Sequence, residues 1–390
     1  MGRSVGHGLG WLEFFEEVPE PRQKAKVLYP LPELLLCCLV GVLCGAEGWV
    51  EVEEYCEAKL AFLRRFLPFD RGIASHDTFS DVFNALDPAR FKAAFIAWTA
   101  ALQEDIREIV AIKPAPAKAG GKTLRRSFDR GAGQGPIHMI SAWAAGQRLV
   151  LGQLAVGAKE NEITAIPELL VLLNLKGAIV TIDAIGCQKK IAATIRDRGA
   201  DYLLALKDNQ PTLCRDVADF LIEQRAAGFK DCAAASWATH QTTDADHGRI
   251  ETRRHWITSD IGWLRERHPE WPDLISIGMI EAVRQPPGKP ASCQTRYYIA
   301  SIAPDAIEFA GAARQHWGIE NGLHWVLDVV YREDQCRIRK RNGPANFATI
   351  RHMTLNLLQR TKTAKKKSTR VKRGLAAIDE TFLQTVLMAA

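Results

Sequence analysis

The chain has 390 residues, 47% of them hydrophobic and 25% charged, the balance of an ordinary soluble globular protein with room for roughly two to three domains. Its longest apolar run, residues 34–46, lies between Glu33 and Glu47 and is too short for a membrane span, which needs about 20 apolar residues. The net charge is +6, but the segment from Arg360 to Arg373 alone carries eight Lys or Arg and no acid. The rest of the chain is therefore slightly acidic, and the basic excess is local, as expected for a polyanion partner.

The nine cysteines are scattered, odd in number and free of any C-x-x-C pair, which argues against a disulfide framework or a zinc knuckle. Glu13, Glu16 and Glu17 come before the first apolar run, so no secretory leader pattern is read there, and the expected location is the cytoplasm with no membrane partner.

In chain order, residues 1–105 read as a small all-helical domain. Helices are expected over Leu31 to Cys44 and Val50 to Phe66, with a third capped by Ser75, His76 and Asp77 and running through Phe83. A fourth opens at Asp87-Pro88, with Asp as N-cap and Pro at the first helical position. From about residue 106 short apolar runs follow: Ile106 to Ile112, Ile137 to Trp143 and Leu149 to Val156. Next come a helix from Ile163 to Leu175, a strand from Ala178 to Asp183, a helix from Gln188 to Asp197 and a strand from Tyr202 to Leu206. This order predicts an α/β domain over 106–358 with a mixed sheet. An irregular and β insertion is expected over about 208–300, polar around Thr239 to Arg254. A long helical segment from about Pro304 to Val330 and a basic tail with a terminal helix, 359–390, complete the chain.

Asp183 stands at the C-terminal tip of a wholly apolar strand, where an α/β sheet presents groups to a ligand, although a turn or cap aspartate would look the same. "GGKT" at Gly120 to Thr123 is not a phosphate loop, because the glycine that motif needs is Pro116 here. Gly131 to Gly135 falls between strands and reads as a turn. In "RQHWGIENGLHWVLDVVYRED", residues 314–334, a helical projection puts Ala312, Ile319, Leu323, Val326 and Val330 on one face. Glu320 lies at the margin of that face, with His324 and Asp328 beyond it.

Taken together, Val180 to Gln188, "YLLALKDNQ" (Tyr202 to Gln210), "HGRIETRR" (His247 to Arg254) and "HWGIENGLHWVLDVVYRED" resemble a DDE transposase of bacterial insertion sequences. The likeness is nearest to the H-repeat-associated group linked to Rhs elements, also called the ISAs group. "FFEEVPEPRQ", "GWVEVEEYCEAKLAFL" and "SHDTFSDVFNALDP" resemble the helical domain that accompanies it. The resemblance implies an RNase H-like catalytic domain in which three acids hold two Mg²⁺ ions, with Mn²⁺ as an alternative. One acid lies on the first strand, one after the fourth and one on a late helix. Two hard cations about 3.5 to 4 Å apart, held by oxygen ligands, would activate the attacking hydroxyl and stabilise the leaving oxygen of a phosphodiester. Asp183 matches the second acid and Glu320 the third, as catalytic and metal-binding residues.

Nothing matches the first acid. The family's first strand ends "AIDGKTLR", whereas here Ala111-Ile112 is followed by Lys113 through Gly120 before Gly121-Lys122-Thr123. A lysine at that place has the wrong sign for holding Mg²⁺, and Asp105 and Asp129 are the nearest substitutes. The expected partner is DNA, both terminal inverted repeats and target, bound by a homo-oligomer. Candidate phosphate contacts are Arg249, Arg253, Arg254, His316, His324, Arg337, Arg339, Lys340 and Arg341, with Lys365, Lys366 and Lys367 in the tail. Two readings remain: a transposase that cuts and rejoins DNA with Mg²⁺, or a catalytically impaired DNA-binding relic. A different hydrolase is disfavoured by the lack of G-x-S-x-G and H-E-x-x-H motifs.

Overall fold

The computed structural model describes residues 8–103, 108–114, 138–156, 162–246, 249–288 and 290–389. Asp105, Asp129, Gly120 to Thr123 and Gly131 to Gly135 lie outside the described residues, as do the side chain of Arg249 and most of the Lys113 to Gly120 stretch.

Four longer helices come first: α1 (Leu31–Cys44), α2 (Trp49–Ala58), α3 (His76–Ala85) and α4 (Pro88–Leu102). Their starts follow from local chemistry. Ser75 Oγ accepts from the Thr78 N–H at the head of α3, and Asp87 Oδ1 accepts from the N–H groups of Ala89 and Arg90 at the head of α4. The apolar run is α1, which is buried along its length as a core helix. No single helix among the described residues is long and apolar enough to cross a membrane.

The α/β part follows the expected order: β1 (Ile109–Pro114), β2 (His138–Ala144), β3 (Leu149–Val156), α5 (Glu162–Leu172), β4 (Ile179–Ile182), α6 (Lys189–Asp197) and β5 (Asp201–Leu206). After α7 (Pro211–Ala227) come four longer strands: β6 (Trp237–Asp246), β7 (Arg249–Thr258), β8 (Ser276–Gln285) and β9 (Ser292–Ala300). The polar stretch from Thr239 to Arg254 is therefore a regular hairpin, not an irregular segment. Its strands hide little apolar surface, so hydrophobic alternation does not mark them, although Thr and Ile recur along them. All nine strands join one sheet in the order β3-β2-β1-β4-β5-β9-β8-β7-β6. The β1, β4 and β5 strands run parallel, and the flanking pairs are antiparallel.

The chain closes with α8 (Ala306–His316), two π-helical turns at Glu320–His324 and Val326–Val330, then α9 (Gly343–Arg360), α10 (Thr369–Ile378) and α11 (Glu380–Leu387). The expected helix over Pro304 to Val330 thus changes register at its centre. In the wider π turn, Gly322, Leu323 and His324 are buried consecutively, which a 3.6-residue period does not anticipate.

Strand alternation sorts the sheet into two faces. Val110, Val180 and Leu204 join the large core, with α4, α5 and α9 against β3. Ile109, Ile179, Leu203, Ile257, Ile280 and Tyr298 point the other way, onto Ala306, Phe309, Ala312 and Ala313 of α8. The C-terminal basic run is only partly free. Lys365, Lys366 and Lys367 are exposed, whereas Lys372 donates to the Leu358 carbonyl at 2.6 Å. Arg373 donates to the Val42 carbonyl at 2.8 Å, at the end of α1, and stacks over the Tyr331 ring.

Gly278 on β8 sets the approach of α8, because a Cβ there would meet the Phe309 ring at 2.7 Å. Gly278→Ala is expected to destabilise the fold by about 1 to 3 kcal/mol. Urea unfolding should show a lower midpoint at unchanged slope; an unchanged midpoint would mean that Phe309 yields freely.

Candidate active site

The parallel register of β1 and β4 pairs Ile112 with Ile182, so the next residues, Lys113 and Asp183, stand side by side at the carboxyl ends of their strands. Both belong to the face that packs on α8, as does Thr181. Glu320, in the first π-helical turn after α8, completes the group.

Lys113 Nζ lies 2.6 Å from Glu320 Oε1 and 3.1 Å from Asp183 Oδ2. Its side chain is 8% exposed, while those of Asp183 and Glu320 are 32% and 39% exposed. The ammonium also sits 4.3 Å from the centre of the Trp317 ring, within cation-π range. The sequence-based expectation for Asp183 and Glu320 is that they come together, and they do: both touch one ammonium, far inside the about 10 Å beyond which two carboxylates cannot share a metal pair.

His316, at the end of α8, is buried with both ring nitrogens committed. Nε2 is 3.0 Å from Asp183 Oδ1 and Nδ1 is 3.0 Å from Thr181 Oγ1. It therefore orients Asp183, and a phosphate would have to displace one of these bonds. His324 is buried, 3% exposed, which keeps it from a phosphate at the surface. Burial by itself pushes the Asp183 carboxyl up, but the His316 hydrogen bond and charge and the Lys113 ammonium outweigh it and hold it well below the usual carboxylate range.

Two divalent ions do not fit this arrangement. The space between the two carboxylates holds an ammonium, and among the described residues no group of three or more His, Cys, Asp or Glu side chains could hold a metal ion.

Comparison with known proteins gives the family of the chain. The family described as "Transposase DDE domain" matches residues 107–357, and "DDE_Tnp_1-associated" matches residues 12–99. This chain belongs to the DDE transposase family. "H repeat-associated putative transposase YhhI" of Escherichia coli K12 is 37% identical over 381 residues, 96% of this chain and 97% of that protein. "Putative transposase YncI" of Escherichia coli O157:H7 is 38% identical over 379 residues, 96% of this chain and 94% of that protein. Among solved structures, a chain of the piggyBac transposase synaptic complex with hairpin DNA aligns over 98% of this chain and 78% of its own, with a TM-score of 0.38 and 11% identity, too distant to carry an argument.

The candidate phosphate contacts fall in three places in this transposase. Arg253 faces the acid pair's side of the sheet. Arg254 points to the opposite face, toward Gln241 and Glu281, because neighbours on a strand alternate. Arg337, Arg339 and Lys340 line a separate groove of about 790 Å³ that includes Trp49 and His76, and Arg341 is exposed just after it. Sequence reasoning missed Thr181, Trp317 and Arg296, whose guanidinium lies 4.7 Å from the Trp317 ring centre. The period-two alternation of β4 and β9 was the available signal for Thr181 and Arg296.

Because the Asp183 pKa is lowered on folding, its pairing stabilises the protein above its unfolded value, about pH 4, and the contribution is lost as pH falls through the depressed folded value. Asp183→Asn should cost about 1 to 3 kcal/mol at neutral pH. Urea titrations from neutral to acid pH should show that gap narrowing only below about pH 4; a gap that closed between pH 5 and 7 would contradict the pairing.

Proposed function

We propose that this chain is an insertion-sequence transposase that binds DNA, and that the two-metal strand cleavage and transfer expected of its family is blocked by Lys113. The observation that carries the reading is the Lys113 ammonium placed between Asp183 and Glu320. The strand order, with β1 and β4 parallel and adjacent and a late helix crossing their ends, supports an RNase H-like catalytic domain. In that frame Lys113 occupies the position of the first acid, Asp183 that of the second and Glu320 that of the third.

The consequence is electrostatic. Three carboxylates at this spot would repel one another and call for divalent cations, Mg²⁺ or Mn²⁺. Two carboxylates and one lysine carry one net negative charge where three carboxylates would carry three, so the chain's own cation takes over part of what a bound ion would do for stability. It cannot do what the ion does for chemistry, because an ammonium offers no open coordination position to a phosphodiester oxygen. DNA recognition does not need the metal pair, and relatives that are putative transposases support DNA as the substrate class.

Two variants test this: Lys113→Asp, and a chain in which residues 113–120 are replaced by one Asp. Both variants and the natural chain should bind DNA with steep salt dependence. With Mn²⁺ present, nicking of DNA carrying the element's ends should rise by about 100-fold or more in at least one variant, the scale on which metal-site ligands are felt. Nicking by the natural chain at the level of the repaired one would sink the blocked-site reading. If all chains bind DNA and none cuts it, the roles given to Asp183 and Glu320 are wrong.

A further inference from the structure

The face of the sheet that carries the acid pair continues across β9, β8 and β7 beyond the end of α8. Near the core it is apolar: Tyr298, Ile280 and Ile257 lie under the helix. Farther out the same register brings Arg296, Arg284 and Arg253 onto that face, with Ala282 as a low floor between them. Arg314, on α8, stands over its edge. Together these residues and Trp317 line a groove of about 280 Å³ that opens onto Glu320.

The arginines are held in place. Glu251 is 7% exposed at its side chain and accepts from Arg284 Nε at 2.9 Å and Arg253 Nη2 at 2.7 Å. Arg253 Nη1 is also 2.6 Å from Asp244, and Arg314 is 3.6 Å from the same carboxylate. A buried carboxylate that binds two guanidinium groups fixes their planes; Arg284 stays 49% exposed at its side chain, whereas Arg253, 14% exposed with both Nη groups on carboxylates, belongs to the scaffold. Fixed guanidinium groups lose little entropy when they take up a phosphate.

We propose that this groove is a seat for a single DNA strand running to the acid pair, with Arg284, Arg296 and Arg314 as its phosphate contacts and Glu251 as the residue that positions Arg284. The inference rests on the DNA-binding reading above. The lining points to the ligand: an arginine-lined groove of about 280 Å³, just below the ~300 Å³ at which small-molecule sites begin, suits the phosphate backbone of one strand. Trp317 does not serve as a base platform here, since Lys113 and Arg296 both lie against its ring. It links the groove to the acid pair instead.

Anisotropy titrations of the full chain with fluorescein-labelled mixed-sequence single-stranded DNA, and with blunt duplex, test the seat. Arg284→Ala and Arg314→Ala remove side chains that are 49% and 61% exposed, so both variants should fold as the natural chain does, which circular dichroism melting checks. Each should weaken single-strand binding by about 5- to 10-fold and flatten the slope of log K against log salt by about 0.7, with a smaller loss for blunt duplex. Arg254→Ala, on the opposite face, should leave single-strand binding unchanged. Glu251→Gln gives the sharper result. Removing a negative charge beside DNA should tighten binding if charge alone matters, whereas loss of the positioning carboxylate should weaken it; tightening overturns the role of Glu251. Arg284→Ala and Arg314→Ala chains that bind as the natural chain does overturn the seat while leaving DNA binding intact. A natural chain with no salt-dependent DNA binding overturns both readings.

Discussion

One ammonium between two carboxylates organises the centre of this protein. Lys113 Nζ reaches Asp183 from the neighbouring strand and Glu320 from the helix that crosses the strand ends, and so ties β1, β4 and the π-helical turn together. Surface ion pairs contribute little, because water screens them and two long side chains must be ordered. Lys113 differs from such a pair in being 8% exposed and backed by an indole ring, so its charge is poorly screened and has few other partners. Removing it would leave two acids facing each other across a partly dry pocket, which costs more than the pair itself contributes.

The continuity of the sheet gives that centre a fixed relation to the rest of the molecule. Strand β5 pairs with β9, so the antiparallel extension is joined to the parallel core through backbone hydrogen bonds and not through a flexible linker. The α8 helix then spans both parts, packing on β1 and β4 at one side and on β6 and β7 at the other. His316 at its end reaches Asp183, and Arg314 two residues earlier reaches the extension. A shift of α8 would therefore move the acid pair and the arginine groove together. On the far side, α9 runs buried through the helices, and Arg373 ties α10 to the end of α1 by way of the Val42 carbonyl.

Much of this was legible in the sequence, for identifiable reasons. The strands β1 to β5 are short apolar runs because they are buried on both faces, and the caps at Ser75 and Asp87 are side-chain chemistry local to their helices. Asp183 and Glu320 could be paired only through the resemblance, since 137 residues separate them and no periodicity connects them. The β6–β7 hairpin was hidden because its strands are polar on both faces. The grouping of Arg253 with Arg254 followed from their adjacency, but in a strand adjacency means opposite faces. The π turn was hidden because helical projection assumes a period that the chain abandons at Glu320.

If Lys113 stands where the family's first acid would, as proposed above, the rest of the chain can keep the family's fold. A first acid replaced by a small neutral residue would leave Asp183 and Glu320 with His316 alone as a nearby counter-charge, and a half-buried like-charge pair strains the strand ends that present it. Replacement by lysine supplies the counter-charge from the same position on the same strand, on the side chain long enough to reach both partners. In that case the charge balance at the strand ends needs no bound ion, and stability would not report a change in the chemistry. On the reading proposed above, the sign of one side chain would remove the chemistry while leaving the fold its counter-charge.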